Sequence, residues 1–110
     1  MEDCLFCQIV REEVQSEQII ETTNYVAFKD IHPKAPVHVL IVPKRHVERP
    51  EELRGDEITD MLQGAEEVAQ IMGVKDTGYR LVFNVGNHPG QVIDHVHLHL
   101  LGGAPAKSMY

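Results

Sequence analysis

The segment DHVHLHLLGG, residues 94–103, places histidine at every second position: His95, His97 and His99. An imidazole can ligate a metal through a nitrogen lone pair, attack an electrophile, or trade a proton near neutral pH. In an extended strand, side chains two apart share a face, so the three rings project to one side while Val96, Leu98 and Leu100 turn to the core. At ~3.3 Å per residue, His95 and His99 stand roughly 13 Å apart along the strand. That spacing argues against one metal ion held by all three, whereas neighbouring rings about 6–7 Å apart can share a ligand or a proton. Strand propensity does not ask for three histidines in five residues, so the pattern points to chemistry.

Two other segments carry reactive side chains. NVGNHPGQV, residues 84–92, is a loop in which Gly86 and Gly90, with Asn84 and Gln91, let backbone N–H groups approach an anion. Beside a histidine-bearing strand, such a loop can cradle a phosphate next to a nucleophile. A neutral imidazole attacks phosphorus, and a second histidine can stabilise phosphate oxygens or protonate a leaving group. CLFC at residues 4–7 has the spacing of a metal knuckle or a redox pair. Its place at the extreme N-terminus is unlike the strand-to-helix junction of thioredoxin-like sites. Two cysteines need two more ligands for structural zinc, and His32, His38, His46, His88 or one histidine of the 95–99 run could supply them. Two unliganded thiols are the alternative.

The elements that must position these groups follow from periodicity. Residues 56–73 read as the clearest helix, with Ile58, Met61, Leu62, Ala65, Val68, Ala69 and Met72 on one apolar face. Asp56 can cap its start, and Gly73 suits the left-handed position after its last turn. A shorter helix from Cys4 to about Arg11 groups Leu5, Phe6 and Ile9. QIIET (18–22), YVAFKD (25–30), HVLIVP (38–43), YRLVFNV (79–85) and HVHLHLL (95–101) read as strands. Asn24 marks a turn between the first two, and the Pro33–Pro36 loop precedes the third. Mostly consecutive strands with the helices set apart predict an α+β domain on an antiparallel sheet.

The chain of 110 residues suits one domain, and its 43% hydrophobic and 25% charged residues are ordinary globular values. A formal charge of −7 without a basic stripe is a poor match for nucleic acid. The longest apolar run, VLIV at 39–42, is far short of a membrane span. MEDCLFC opens with acids rather than a basic secretory leader, and the cysteines are too close for a stapling disulfide. A cytoplasmic setting is the expectation.

Together these features resemble the histidine-triad (HIT) superfamily, whose pattern His-φ-His-φ-His-φ-φ (φ apolar) is matched by His95 through Leu101. VAFKDIHPKAPVHVLIVPKRHV (26–47), GYRLVFN (78–84), Gly90-Gln91 and LLGG (100–103) resemble the conserved blocks of its Hint branch, the nucleoside phosphoramidate hydrolases. The resemblance implies a single HIT domain over residues 1–110: five antiparallel strands, one long helix and one or two short ones, paired into a homodimer. It also implies hydrolysis of purine nucleoside 5′-phosphoramidates at the α-phosphorus through a nucleotidyl-histidine intermediate, with no catalytic metal. His97 would be the nucleophile, with His99 and His38 completing the catalytic histidines. Asn84, Gly90 and Gln91 would contact phosphate, Asp30 the ribose hydroxyls, and Phe6, Ile9, Phe28 and Ile31 would wall the base pocket. Relatives with an N-terminal cysteine pair imply a structural Zn²⁺ on Cys4, Cys7, His46 and His95. The sequence departs from the pattern at Pro89, Val92, Asp94, Ala104 and the tail, which bears on substrate preference and turnover. A dinucleoside polyphosphate hydrolase, a nucleotidyl transferase and a nucleotide-binding interaction module are the other readings.

Overall fold

β-Branched and alternating apolar segments pair into one antiparallel sheet in the computed structural model of the chain, which describes residues 4–91 and 93–106. The strands are β1 (Gln18–Glu21), β2 (Tyr25–Lys29), β3 (Val37–Pro43), β4 (Tyr79–Phe83) and β5 (Leu98–Gly102). With them come a short helix α1 (Leu5–Val10), a 3₁₀ turn at Pro50–Glu52 and a long helix α2 (Gly55–Ile71). This is the α+β, five-stranded architecture expected from the sequence. The order is β1-β2-β3-β5-β4, so the last strand inserts between β3 and β4 instead of following in chain order. β3 and β4 each run antiparallel to β5 and so point the same way, which is why the chain between them needs the helical crossover α2.

Alternation sorts the middle of the sheet into two buried faces. Tyr25, Ala27, Val37, Val39, Ile41, Leu98 and Leu100 face α2, while Val26, Phe28, Leu40 and Val42 face Phe6 and Ile9 of α1. The second face is also the face of His38 and His99, so α1 and the histidines share one side of the sheet.

Two expectations about α2 need correction. Its buried stripe runs through Glu57, Met61, Gly64, Ala65, Val68 and Ala69, whereas Leu62 is 48% exposed. The stripe is rotated because the helix lies close against β2: a Cβ on Gly64 would overlap the Tyr25 ring. Asp56 sits inside the first turn, and the cap position is Arg54, whose N–H donates to the Glu57 carboxylate at 2.7 Å. Glu57 also accepts from Arg45 at Nε (3.0 Å) and Nη2 (2.8 Å), tying the segment after β3 to the helix. The helix ends as expected, with Gly73 at φ 75°.

The histidine segment is also less regular than a strand reading predicts. Its ladder begins at Leu98, because Pro43 ends β3 and the Val96 N–H donates to the Val47 carbonyl, 2.7 Å, instead. The alternation survives without the ladder. Val96 packs with Leu98 and Leu100 toward α2, and Phe6 of α1 meets His95 and His97 on the other side. No helix among the described residues is long and apolar enough to cross a membrane.

Candidate active site and metal cluster

Backbone partners fix the proton on each buried imidazole, because a carbonyl can only accept and an N–H can only donate. His97 Nδ1 lies 2.9 Å from the His95 carbonyl oxygen, so Nδ1–H donates and Nε2 keeps its lone pair. His95 Nε2 lies 2.8 Å from the Pro43 carbonyl, so there the proton is on Nε2 and Nδ1 holds the lone pair. The Lys34 N–H donates to His38 Nδ1 at 3.0 Å, which leaves His38 Nε2–H to donate to His99 Nδ1 at 2.9 Å. His99 then carries its proton on Nε2, and that atom is shielded from water with no partner among the described residues. One segment thus presents two opposite groups: a lone pair on His97 and an N–H on His99, their rings 4.8 Å apart.

Burial keeps these rings neutral. It lowers the proton affinity of His38 and His97 below the ordinary imidazole range. Burial, with the neighbouring His97 and His38, takes His99 down to about 4. Asp30 places Oδ2 3.4 Å from His38 Nε2, while its Oδ1 accepts the His32 N–H at 2.9 Å. Asp30, His38 and His99 cluster closely enough to suggest a cation site. The Lys34 N–H, however, holds His38 in the tautomer that points a proton at the shared space, so the cluster reads as a hydrogen-bonded relay.

A cavity of about 550 Å³ joins most of the expected site residues. Phe6, Ile9, Phe28 and Ile31 line one part, Asp30 another, and His38, His97, His99, Asn84 and Gly90 the polar part. Ile31 is 82% exposed at this wall, an apolar side chain with its face open. Gln91 is the exception. It does not line the cavity, and its amide is engaged by backbone: Oε1 accepts the Gly86 N–H at 2.8 Å, and Nε2 donates to Glu48 O (3.0 Å) and Ile93 O (3.1 Å). That geometry makes it a brace for the loop rather than a phosphate ligand. The backbone cradle is also partly used, since the Gly90 N–H turns back to the Asn87 carbonyl at 3.2 Å. Val92 and the end of the tail lie outside the described residues.

Sequence reasoning missed several residues of this wall. Ile93 could have been found, because it precedes His95 by two and so shares the parity of the histidines. Lys34, whose backbone orients His38, gave no side-chain signal at all. Val14 and Ser16 enter because the turn after α1 curls back, with the Glu13 N–H on the Gln8 carbonyl at 2.8 Å.

The cysteines and two histidines meet at the opposite end of α1's buried side. Ligand atoms of Cys4, Cys7, His46 and His95 all lie within 4.8 Å of one another. His95 Nδ1 stands 3.3 Å from Cys4 Sγ and 3.5 Å from Cys7 Sγ, and His46 Nδ1 stands 3.2 Å from Cys7 Sγ. In a tetrahedral zinc site, bonds of about 2.3 Å to sulfur and 2.0 Å to nitrogen set ligand atoms about 3.6 Å apart. The residues therefore fit Zn²⁺ in number, type and spacing. The Pro43 carbonyl on His95 Nε2 supplies the outer hydrogen bond that such a ligand uses to fix its tautomer. His32 and His88 are exposed and stand outside this cluster, and His38 clusters with Asp30 and His99 instead.

Comparison with known proteins shows the family to which the chain is similar. The HIT domain model matches residues 11–106. An HIT-like protein of Chlamydia pneumoniae is 41% identical over 104 residues, covering 92% of this chain and 94% of that protein. The purine nucleoside phosphoramidase of Escherichia coli is 34% identical over 111 residues, covering 98% and 93%. The solved structure of an HIT family hydrolase from Clostridium thermocellum superposes with a TM-score of 0.94 at 38% identity, covering 100% of this chain and 99% of that one.

Proposed function

The chain belongs to the HIT domain family, and from that premise we propose that it hydrolyses purine nucleoside 5′-phosphoramidates at the α-phosphorus. The observation that carries this reading is the His95 carbonyl on His97 Nδ1, which reserves the Nε2 lone pair for attack in a cavity also lined by His99, whose Nε2–H has no partner among the described residues. The likeness to the Escherichia coli purine nucleoside phosphoramidase supports the substrate class.

In the first step His97 Nε2 bonds to the α-phosphorus and the P–N bond breaks. The amine leaves with a proton taken from the medium, since the neutral His38–His99 pair has none to spare in its tautomer. His99 Nε2–H donates to a phosphate oxygen or the departing nitrogen, and Asn84 and Gly90 flank the phosphate. In the second step water attacks phosphorus, gives up one proton and releases the nucleoside monophosphate, which returns His97 to its starting state. Asp30 accepts from the ribose hydroxyls, and Phe6, Ile9, Phe28 and Ile31 enclose the base. Cys4, Cys7, His46 and His95 would hold a structural Zn²⁺, which would brace α1 against the catalytic segment and leave no ligand position for substrate. A homodimer is part of the same proposal: β4 is an edge strand, with Leu81 38% exposed on it, and Leu62 is exposed on α2.

The test is incubation with adenosine 5′-phosphoramidate, beside a dinucleoside polyphosphate, with intact-mass detection of adenylylated protein. Expected are AMP release, faster on the phosphoramidate, and a mass adduct that disappears in His97→Ala. Absence of turnover in wild type, or His97→Ala turning over as fast, rejects the proposal.

A further inference from the structure

Ser16 contributes to the cavity wall a polar group that none of these roles uses. Its hydroxyl oxygen is shielded from water and has no hydrogen-bond partner among the described residues. A buried hydroxyl left in this state costs stability. Nor is its position slack, for the Glu13 N–H on Gln8 O (2.8 Å) and the Lys29 N–H on Glu17 O (3.0 Å) pin the segment on both sides. The neighbouring wall is apolar: Ile9, Val14, Phe28 and Ile31 line the same cavity. Such a slot accepts the flat faces of a purine but offers little to the nitrogens and exocyclic group at its edge.

We propose that Ser16 is a base-recognition residue whose hydroxyl turns about χ1 into the cavity and hydrogen-bonds the polar edge of the nucleobase. The inference rests on the nucleotide hydrolase reading of the site and adds a determinant of specificity to it. A serine hydroxyl donates or accepts by rotating. It therefore meets the amino group and N1 of adenine as readily as the carbonyl and N1–H of guanine. The site accordingly accepts both purines and discriminates against a base of the same shape without polar edge atoms, because that base leaves the hydroxyl unpaired.

The experiment compares wild type with Ser16→Ala on the 5′-phosphoramidates of adenosine, guanosine and benzimidazole riboside, whose six-membered ring has neither nitrogen nor exocyclic group. Dissociation constants of the corresponding monophosphates and melting temperatures are measured alongside. Wild type should prefer both purines. Ser16→Ala should lower kcat/KM for both by roughly 5- to 10-fold and leave the benzimidazole substrate within about twofold, the range of one neutral hydrogen bond. Its melting temperature should hold or rise, since an unpaired hydroxyl has been removed. An unchanged purine-to-benzimidazole ratio overturns the proposal, as does a lowered melting temperature, which would assign the hydroxyl a partner within the protein. If wild type neither hydrolyses adenosine phosphoramidate nor binds AMP, the hydrolase reading falls instead, and this inference falls with it.

Discussion

Zinc titrated into metal-free protein at pH 8 should displace at least one proton per ion, the one held by Cys7. The figure follows from the state of each donor. Burial and the adjacent Cys4 push the Cys7 thiol up to about 11, so it is protonated before the ion arrives. Converting it to thiolate at pH 8 costs about 3 pKa units, or ~4 kcal/mol. Structural zinc sites supply an apparent ~10–16 kcal/mol near neutral pH, enough to cover that cost. His95 adds nothing to the count. Burial takes His95 down to about 4, and its proton is already on Nε2, facing the Pro43 carbonyl. Calorimetric titration in two buffers of different ionisation enthalpy gives the number directly, from the slope of observed heat against buffer heat. The apparent affinity should also climb by at least about tenfold per pH unit below pH 8, as the deprotonation of Cys7 requires. A count near zero, or no binding, would refute the cluster as a Cys₂His₂ site.

The remaining predictions concern the catalytic cavity and the frame. Because burial takes His99 down to about 4, it is neutral throughout pH 5–8, and kcat/KM should stay level well below the ordinary imidazole value of about 6.5. An acid limb centred at 6.5 or above in the pH–rate profile would contradict the buried, neutral pair. Gln91→Glu keeps the acceptor for the Gly86 N–H but turns two donated bonds, to Glu48 O and Ile93 O, into repulsions. KM for adenosine phosphoramidate should rise about 5- to 10-fold while the adenylylated intermediate still forms, and an unaltered KM would remove Gln91 as the brace of the loop. Gly64→Ala gains about 1 kcal/mol of helix propensity but drives a methyl into the buried Tyr25 ring. A net loss of about 1–2 kcal/mol should lower the melting temperature by roughly 5–10 °C, and a stabilised variant would show that helix and strand are less closely packed.

Much of this arrangement was legible because it depends on period and residue type. The alternation of the 95–101 segment told which side each histidine takes, even though hydrogen bonding makes only its second half a strand. The CLFC spacing left a metal knuckle and a redox pair both open, and His46 and His95 came through resemblance, since they are distant in sequence and only the fold brings them beside the cysteines. What stayed hidden depends on three-dimensional closeness. Glu57 reads as one more surface acid on a helix until Arg45 and the Arg54 N–H converge on it. Leu62 reads as core by the helical period, and is exposed because the glycine nearby lets α2 roll toward Tyr25. The resemblance placed Gln91 at the phosphate, and only its three hydrogen bonds reveal where its amide goes.

His95 explains why the cysteine–histidine cluster and the cavity histidines occupy one short segment. Its ring and its carbonyl serve different centres: Nδ1 faces the cysteines, and the carbonyl oxygen holds the Nδ1–H of His97. Replacing the ring would remove a ligand but leave the carbonyl, so the side chain alone cannot set the tautomer of the nucleophile. The link between the two centres must then be positional, through where the segment and α1 sit. Phe6 provides the contact. It lies between Cys4 and Cys7 in sequence and packs edge-on against His97 (5.0 Å between centroids), His95 (5.9 Å) and Phe28 (5.8 Å). A six-residue helix is too short to be stable from its own hydrogen bonds, so α1 depends on these contacts and on whatever secures its cysteines. The Phe6 ring, part of the cavity wall, therefore takes its position from the cysteine–histidine cluster, and His97 packs against that ring.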